Sequence, residues 1–382
     1  MINSDPRLAV LSAEAVGAHH RDWRFARVGM TCFGNAGRLL WVIHALMVIG
    51  CQHFAADPSP RRPLKLTAQQ KRAFQPRHAA FGLELKRVNQ RSSYDQYRLS
   101  AWTYSDAAHE LKRIEGEYFQ SLRVPEGEQS PLLVVAPILG GAGAGYVPSR
   151  LMARYACNVG LSAFFLYQED SILAGDRDGL SLEAVLRESV IDNQKALDLL
   201  LREREEIDPS RLGSLGISLG AIRNVLLVAV EPRLRANVLC MGGVDLAQIL
   251  RKSTEPGVLE YVEERWEQAG LTREEVCRDV ARHVISEPSR FAPTIATDRV
   301  LLLLSRFDDK VPIACGQRLR NLLGRPETYL LPVGHYTVAF VFPYVCSRTF
   351  RYLREKLGQS AGVVRCGSAG CNGGECLGSP EL

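Results

Sequence analysis

Gly216-Ile-Ser-Leu-Gly220 is the segment from which the fold of this chain can be inferred. An apolar, strand-like segment beginning at Arg211 leads into it, and an alanine-containing helical segment follows it. A serine hydroxyl becomes a useful nucleophile when a tight strand-to-helix turn exposes it, and flanking glycines let neighbouring backbone approach that turn. The pentapeptide alone is expected by chance in a chain with 32 glycines. The strand-turn-helix context is what makes Ser218 a candidate nucleophile.

Strand-like and helix-like segments alternate on both sides of this turn. A continuous apolar run, typical of a parallel strand covered on both faces, occurs at 131–138, and further strands are predicted at 162–167, 236–241 and 299–305. Helical patterns separate them, the longest at about 182–205. This order predicts an α/β fold with a mostly parallel central sheet and helices on both faces. A charged helical stretch at about 246–290 interrupts the alternation, and we expect it to form a helical cap over the sheet edge.

Two further polar residues follow predicted strands of this sheet. Asp308 comes just after the strand that ends at Ser305, and His335 comes just after the next one. Catalytic groups of open α/β sheets gather at the carboxyl ends of the strands. Asp309, one position on, and Asp245, after an earlier strand, remain alternative candidates for the acid.

A glycine-rich loop, Leu139-Gly-Gly-Ala-Gly-Ala-Gly145, follows the first apolar run. It lacks the Lys-Ser/Thr ending of a phosphate-binding P-loop and the acidic partner of a dinucleotide site. Nucleotide binding is therefore not favoured, and neither a metal nor a cofactor is expected.

With these residues in this order, the chain resembles the α/β-hydrolase superfamily over about residues 80–358. The resemblance implies Ser218 as nucleophile, His335 as general base and Asp308 as its orienting acid. It also implies an oxyanion hole made by the backbone N–H groups of Leu219 and of a residue in the 137–140 loop, for which we take Leu139. The frequent His-Gly of that loop is replaced here by Pro-Ile.

The activity that this resemblance implies is hydrolysis of a carboxylic ester through an acyl-enzyme, in the style of dienelactone-hydrolase-like and esterase members. The partner would be a small acyl substrate. Two alternatives stay open: a serine peptidase of related fold, and a non-catalytic hydrolase scaffold used for binding.

Composition narrows the function classes further. The net charge of +5 arises from 47 basic and 42 acidic residues spread along the chain, which does not indicate a nucleic-acid binder. No run of 18 apolar residues predicts a membrane-spanning helix.

Five cysteines fall within predicted core elements and are expected to be buried thiols: Cys157, Cys240, Cys277, Cys315 and Cys346. The Gly/Cys-rich tail, 359–382, with Cys366, Cys371 and Cys376, is expected to be disordered.

The N-terminal region has the parts of an export signal. A short basic segment from Met30, an apolar run at 39–49 and Gly50-Cys51 resemble a bacterial lipobox. This predicts lipidation of Cys51, with residues 1–29 an over-extended start and 52–79 a linker to an exported, membrane-tethered domain. The alternative is a short amphipathic helix on a cytoplasmic protein.

Overall fold

The described residues, which are 50–140, 146–168 and 172–358 of a computed structural model, contain one ten-stranded sheet. Its strands are β1 (Gln52–Phe54), β2 (Phe81–Gln90), β3 (Tyr94–Tyr104), β4 (Leu111–Ser121), β5 (Ser130–Ala136), β6 (Ser162–Leu166), β7 (Ile207–Ile217), β8 (Leu234–Cys240), β9 (Val300–Ser305) and β10 (Glu327–Leu331). They lie in the order β1-β10-β9-β8-β7-β5-β6-β4-β3-β2.

The centre of the sheet is parallel, as the sequence predicts. Strands β6, β5, β7, β8, β9 and β10 pair in parallel, whereas β2, β3 and β4 form an antiparallel extension next to β6. Every residue of β5, β6 and β9 is buried, which is the pattern of strands covered by helices on both faces.

Strand β3 was not apparent from the sequence. It carries polar residues that are buried in pairs, such as Gln96, whose Nε2 donates to Glu117 Oε2 on β4 at 2.7 Å. Because these polar groups bond each other across the sheet, they can be buried. The strand therefore lacks the alternation of apolar and polar residues that predicts a strand from sequence.

Ten α-helices are present among the described residues. They are α1 (Ala68–Ala73), α2 (Val147–Asn158), α3 (Gly179–Glu203), α4 (Leu219–Val230), α5 (Leu246–Lys252), α6 (Pro256–Ala269), α7 (Arg273–His283), α8 (Pro288–Phe291), α9 (Ile313–Leu322) and α10 (Phe342–Leu357). Helices α2 and α10 pack together against one face of the sheet, and α3 and α4 pack together against the other. No helix in these ranges is long and apolar enough to cross a membrane.

Helices α5 to α8 occupy the stretch where the sequence predicts a helical insertion. Beneath α5, α6 and α7 lies a hydrophobic cluster separate from the main core, to which Leu250, Tyr261 and Val280 contribute. Ile222 of α4 and Val311 belong to the same cluster. The insertion is therefore fastened to the helix that follows Ser218.

The prediction of a linker at 52–79 does not hold for much of that segment. Strand β1 pairs antiparallel with β10, and Leu64 N–H donates to Pro293 O at 2.9 Å. Helix α1 begins with a capping box in which Thr67 and Gln70 exchange hydrogen bonds. The β1–β10 pairing and the Leu64 bond join the segment to the domain, so it packs on the domain.

Other N- and C-terminal predictions lie mainly outside the described residues, as do Met30–Ile49 of the candidate signal and the 359–382 tail. Cys51, the predicted lipidation site, is partly buried directly before β1. The five cysteines expected in the core are buried and unpaired, as predicted.

Candidate active site

Ser218 occupies the turn between β7 and α4 with an unusual backbone conformation. Its φ of 56° and ψ of −124° lie where non-glycine residues rarely occur and cost about 1–3 kcal/mol. Ser218 N–H donates to Cys240 O at 2.9 Å, and Ser218 O accepts from the N–H groups of Ala221 and Ile222 at 2.9 and 3.1 Å. These three hydrogen bonds hold the strained residue at the carboxyl edge of the sheet.

The two glycines of the pentapeptide are required by close backbone contacts. A Cβ atom on Gly216 would lie 2.5 Å from Gly220 O and 2.7 Å from Ala221 Cα. A Cβ atom on Gly220 would lie 2.7 Å from Pro137 O and closer still to Ala136 O. The turn can therefore close only because both positions lack a side chain.

His335 connects Ser218 with Asp308 through hydrogen bonds. His335 Nε2 lies 3.0 Å from Ser218 Oγ, and Nδ1 lies 2.8 and 3.0 Å from the two Asp308 oxygens. His335 and Asp308 are both buried. Asp308 Oδ1 also accepts from the N–H groups of Lys310 and Val311 at 3.0 and 2.9 Å. The carboxylate is thus fixed, and its second oxygen is left for the imidazole.

The two alternative acids point elsewhere. Asp309 is exposed, and its Oδ2 accepts from Thr254 Oγ1 at 2.6 Å and pairs with Lys310 at 3.3 Å. Asp245 forms an ion pair with Arg318 at 2.9 Å. Neither contacts His335 among the described residues, so Asp308 is the acid that the structure brings to the imidazole.

The two residues predicted to donate to the oxyanion, Leu219 and Leu139, both line the Ser218 pocket. Leu219 is the first residue of α4, where N–H groups have no partner within the helix. Leu139, in the loop after β5, lines the same pocket as Ser218 and Leu219. The fold therefore brings the start of α4 and the loop after β5 to the same pocket as Ser218.

The pocket at Ser218 is small and mostly apolar, with a volume of about 70 Å³. Its walls come from the loop after β5, from α3, α4, α5 and α6, and from the Asp308 loop, and include Leu182, Ile222, Leu250, Val258 and Val311. No local motif marks Leu250 or Val258, because they reach Ser218 only through the packing of the inserted helices.

A polar bridge at the rim of the site was also missed by sequence analysis. Tyr336, next to His335, donates its hydroxyl to both Glu255 oxygens at 2.7 and 2.6 Å. Lys310 Nζ donates to Thr254 Oγ1 at 2.7 Å. These contacts join the loops carrying His335 and Asp308 to the start of α6, across more than fifty residues of sequence.

The residues that the structure describes bear on two other kinds of site, a metal centre and a reactive thiol. No cluster of metal-ligating side chains occurs in the described ranges. Burial raises the pKa of the Cys315 thiol to about 11, so at neutral pH it is a protonated core residue, as the sequence predicts.

Comparison with known proteins places this geometry in context. No family model matches the chain. Its structure is similar to that of an acetyl xylan esterase from Paenibacillus sp. R4, with a TM-score of 0.55, 18% identity and coverage of 76% of this chain and 92% of the esterase. Acetyl xylan esterase 1 from Thermoanaerobacterium sp. JW/SL YS485 gives a TM-score of 0.53 at 17% identity, covering 78% of this chain and 99% of that enzyme.

At the level of sequence, the chain is similar to the uncharacterized protein YdjC of Bacillus subtilis strain 168. The two are 30% identical over 105 residues, which make up 28% of this chain and 86% of YdjC. Through this stretch the chain belongs to the same family as YdjC, and its described residues have the α/β-hydrolase fold.

Proposed function

We propose that the protein is a serine hydrolase that cleaves carboxylic esters of short acyl groups. One observation carries the proposal: His335 bonds Ser218 Oγ through Nε2 and Asp308 through Nδ1. This is the relation that general-base activation of a serine hydroxyl needs. The esterase names of the two structural neighbours agree with it.

The reaction follows from the positions of these groups. As Ser218 Oγ attacks the ester carbonyl carbon, His335 Nε2 takes the hydroxyl proton and Asp308 stabilises the imidazolium. The carbonyl oxygen becomes an oxyanion that the N–H groups of Leu219 and Leu139 would hold. When the carbon–oxygen bond breaks, His335 returns the proton to the departing alkoxide, which leaves as an alcohol. Water then attacks the acyl-enzyme by the same route and releases the acid.

The size of the pocket supports a short acyl group. A volume of about 70 Å³ is well below the roughly 300 Å³ or more of pockets that enclose drug-sized ligands. Leu250 of α5 and Val258 of α6 line the pocket. We assign α5 and α6 the role of a cap that limits the length of the acyl chain.

Labelling with a fluorophosphonate tests the proposal. Wild-type protein should bind the probe covalently, and Ser218→Ala should not. Ser253→Ala is the matched control, because Ser253 lines the same pocket but has no hydrogen bond to His335 in the described structure, and it should label like wild type. A wild-type protein that does not label would overturn the hydrolase assignment. One that labels but cleaves neither acetate nor butyrate esters would overturn the ester assignment alone.

A further inference from the structure

A second and larger cleft lies next to the Ser218 pocket. Its volume is about 500 Å³, and it lies between β4, α3, the loop after β6 and α4. Ile172 lines both the cleft and the Ser218 pocket. Pro137 lines the cleft, and Leu139, two residues on, lines the pocket. The two spaces therefore adjoin each other at the loops after β5 and β6.

Arg223 of α4 contributes a buried positive charge to the wall of this cleft. Its side chain is 5% exposed, and its Nη2 donates to Pro137 O at 2.8 Å. Within the described residues Nε has no hydrogen-bond partner and no carboxylate lies within ion-pair distance of the guanidinium. Burial lowers the pKa of Arg223 to about 10, so the group stays charged at neutral pH. An uncompensated buried charge costs several kcal/mol.

The other cations of the cleft are already neutralised. Lys112 contacts Glu188 at 2.7 Å and Asp192 at 2.6 Å. Arg113 contacts Glu84 at 3.0 Å and Glu115 at 3.6 Å. Among the described residues, Arg223 is therefore the lining cation that lacks an anion.

We propose that Arg223 binds a carboxylate carried by the alcohol part of the ester substrate. A guanidinium presents parallel N–H donors that match a carboxylate. The acidic residues of the same cleft favour a single negative charge over a phosphate dianion. The assignment rests on the proposed esterase function.

The positions of the two spaces agree with this division of the substrate. Arg223 lies on α4, the helix that follows Ser218, and its guanidinium bonds Pro137 O in the loop whose Leu139 lines the Ser218 pocket. The acyl group would enter the small apolar pocket, and the charged alcohol part would extend into the cleft.

A pair of substrates of equal shape tests the inference: 4-acetoxybenzoate and its neutral amide, 4-acetoxybenzamide. For wild type we expect kcat/KM to be at least tenfold higher for the carboxylate. Arg223→Met should reduce that ratio to about one, and Arg223→Lys should keep part of it, because lysine retains the charge but not the fork. Because losing the Pro137 contact would lower the activity on both esters alike, the ratio of the two kcat/KM values reports recognition of the charge alone.

Binding without turnover provides the second readout. Benzoate should raise the melting temperature of Ser218→Ala. It should raise the melting temperatures of Ser218→Ala/Arg223→Met and Ser218→Ala/Arg223→Lys by less. A wild-type ratio near one, or a preference that survives in Arg223→Met, would overturn the carboxylate site while leaving the esterase intact. Absence of hydrolysis of both esters, with no labelling of Ser218, would instead overturn the proposed function.

Discussion

Gly220 packs so closely against the backbone of Ala136 that no side chain fits at this position. A Cβ atom there would overlap Ala136 O and lie 2.7 Å from Pro137 O. These are backbone atoms of the end of β5 and of the loop leading to Leu139, so they cannot move without displacing the strand. The contact fixes the start of α4 relative to the loop that carries the predicted second oxyanion donor.

Gly220→Ala should therefore lower both stability and activity. We expect the free energy of unfolding to fall by about 3 kcal/mol or more, as for other overpacked sites. Gly270→Ala is the control: Gly270 has a φ of 66° but open space around it, so only the left-handed backbone cost of about 1–2 kcal/mol applies. Urea unfolding of both variants measures the difference. Equal losses would show that the Ala136 contact is unimportant.

The hydrogen bonds of Asp308 predict a large catalytic role for it and a small one for its neighbour. Asp308→Asn should lower kcat by about 10³–10⁴-fold, because an amide no longer holds the imidazole in the required tautomer. Asp309→Asn, which changes an exposed side chain bonded to Thr254, should alter kcat by less than about fivefold, as expected for a solvent-screened charge. Steady-state kinetics on an acetate ester decides between them, and the reverse order would make Asp309 the acid.

The sequence could predict that Ser218, Asp308 and His335 lie close together, because each follows a strand of the parallel sheet and the carboxyl ends of these strands lie at one edge. It could not predict β3, since the buried Gln96 and Glu117 satisfy each other and break the apolar pattern. It also could not predict Leu250 and Val258 as wall residues of the Ser218 pocket, or Arg223 as a wall residue of the larger cleft. Their roles depend on how the inserted helices and α3 pack, which no local spacing encodes.

The volume of the acyl pocket should be adjustable at Leu250. Leu250→Ala removes three carbons from the pocket wall, and we expect the butyrate-to-acetate ratio of kcat/KM to rise about tenfold or more, in line with the 10–200-fold effect of a methylene group. Leu319→Ala is the control, since Leu319 is fully buried in the main core on α9. Leu319→Ala should lower the free energy of unfolding by about 2–5 kcal/mol, as expected for any buried Leu→Ala change, without changing the butyrate-to-acetate ratio. A parallel change in both variants would contradict the assignment of Leu250.

Asp192 is a titratable carboxyl group in the wall of the larger cleft. Burial, reinforced by nearby Glu188, raises its pKa to about 6, even though Lys112 Nζ lies 2.6 Å away and opposes the shift. Because the folded protein holds this proton more tightly than the unfolded chain, the stability it provides is present below about pH 4 and is lost as the pH rises through about 6.

Asp192→Asn should remove this pH dependence. Relative to the variant, wild type should gain about 1 kcal/mol in free energy of unfolding when the pH falls from 7.5 to 5, part of the total of roughly 2–3 kcal/mol for a shift of this size. Urea unfolding at both pH values measures the gain. Asp198→Asn, an exposed change on the same helix, controls for removing a carboxylate. If wild type gains nothing over Asp192→Asn at pH 5, the Asp192 carboxylate is already ionised there and the cleft is better hydrated than its burial indicates.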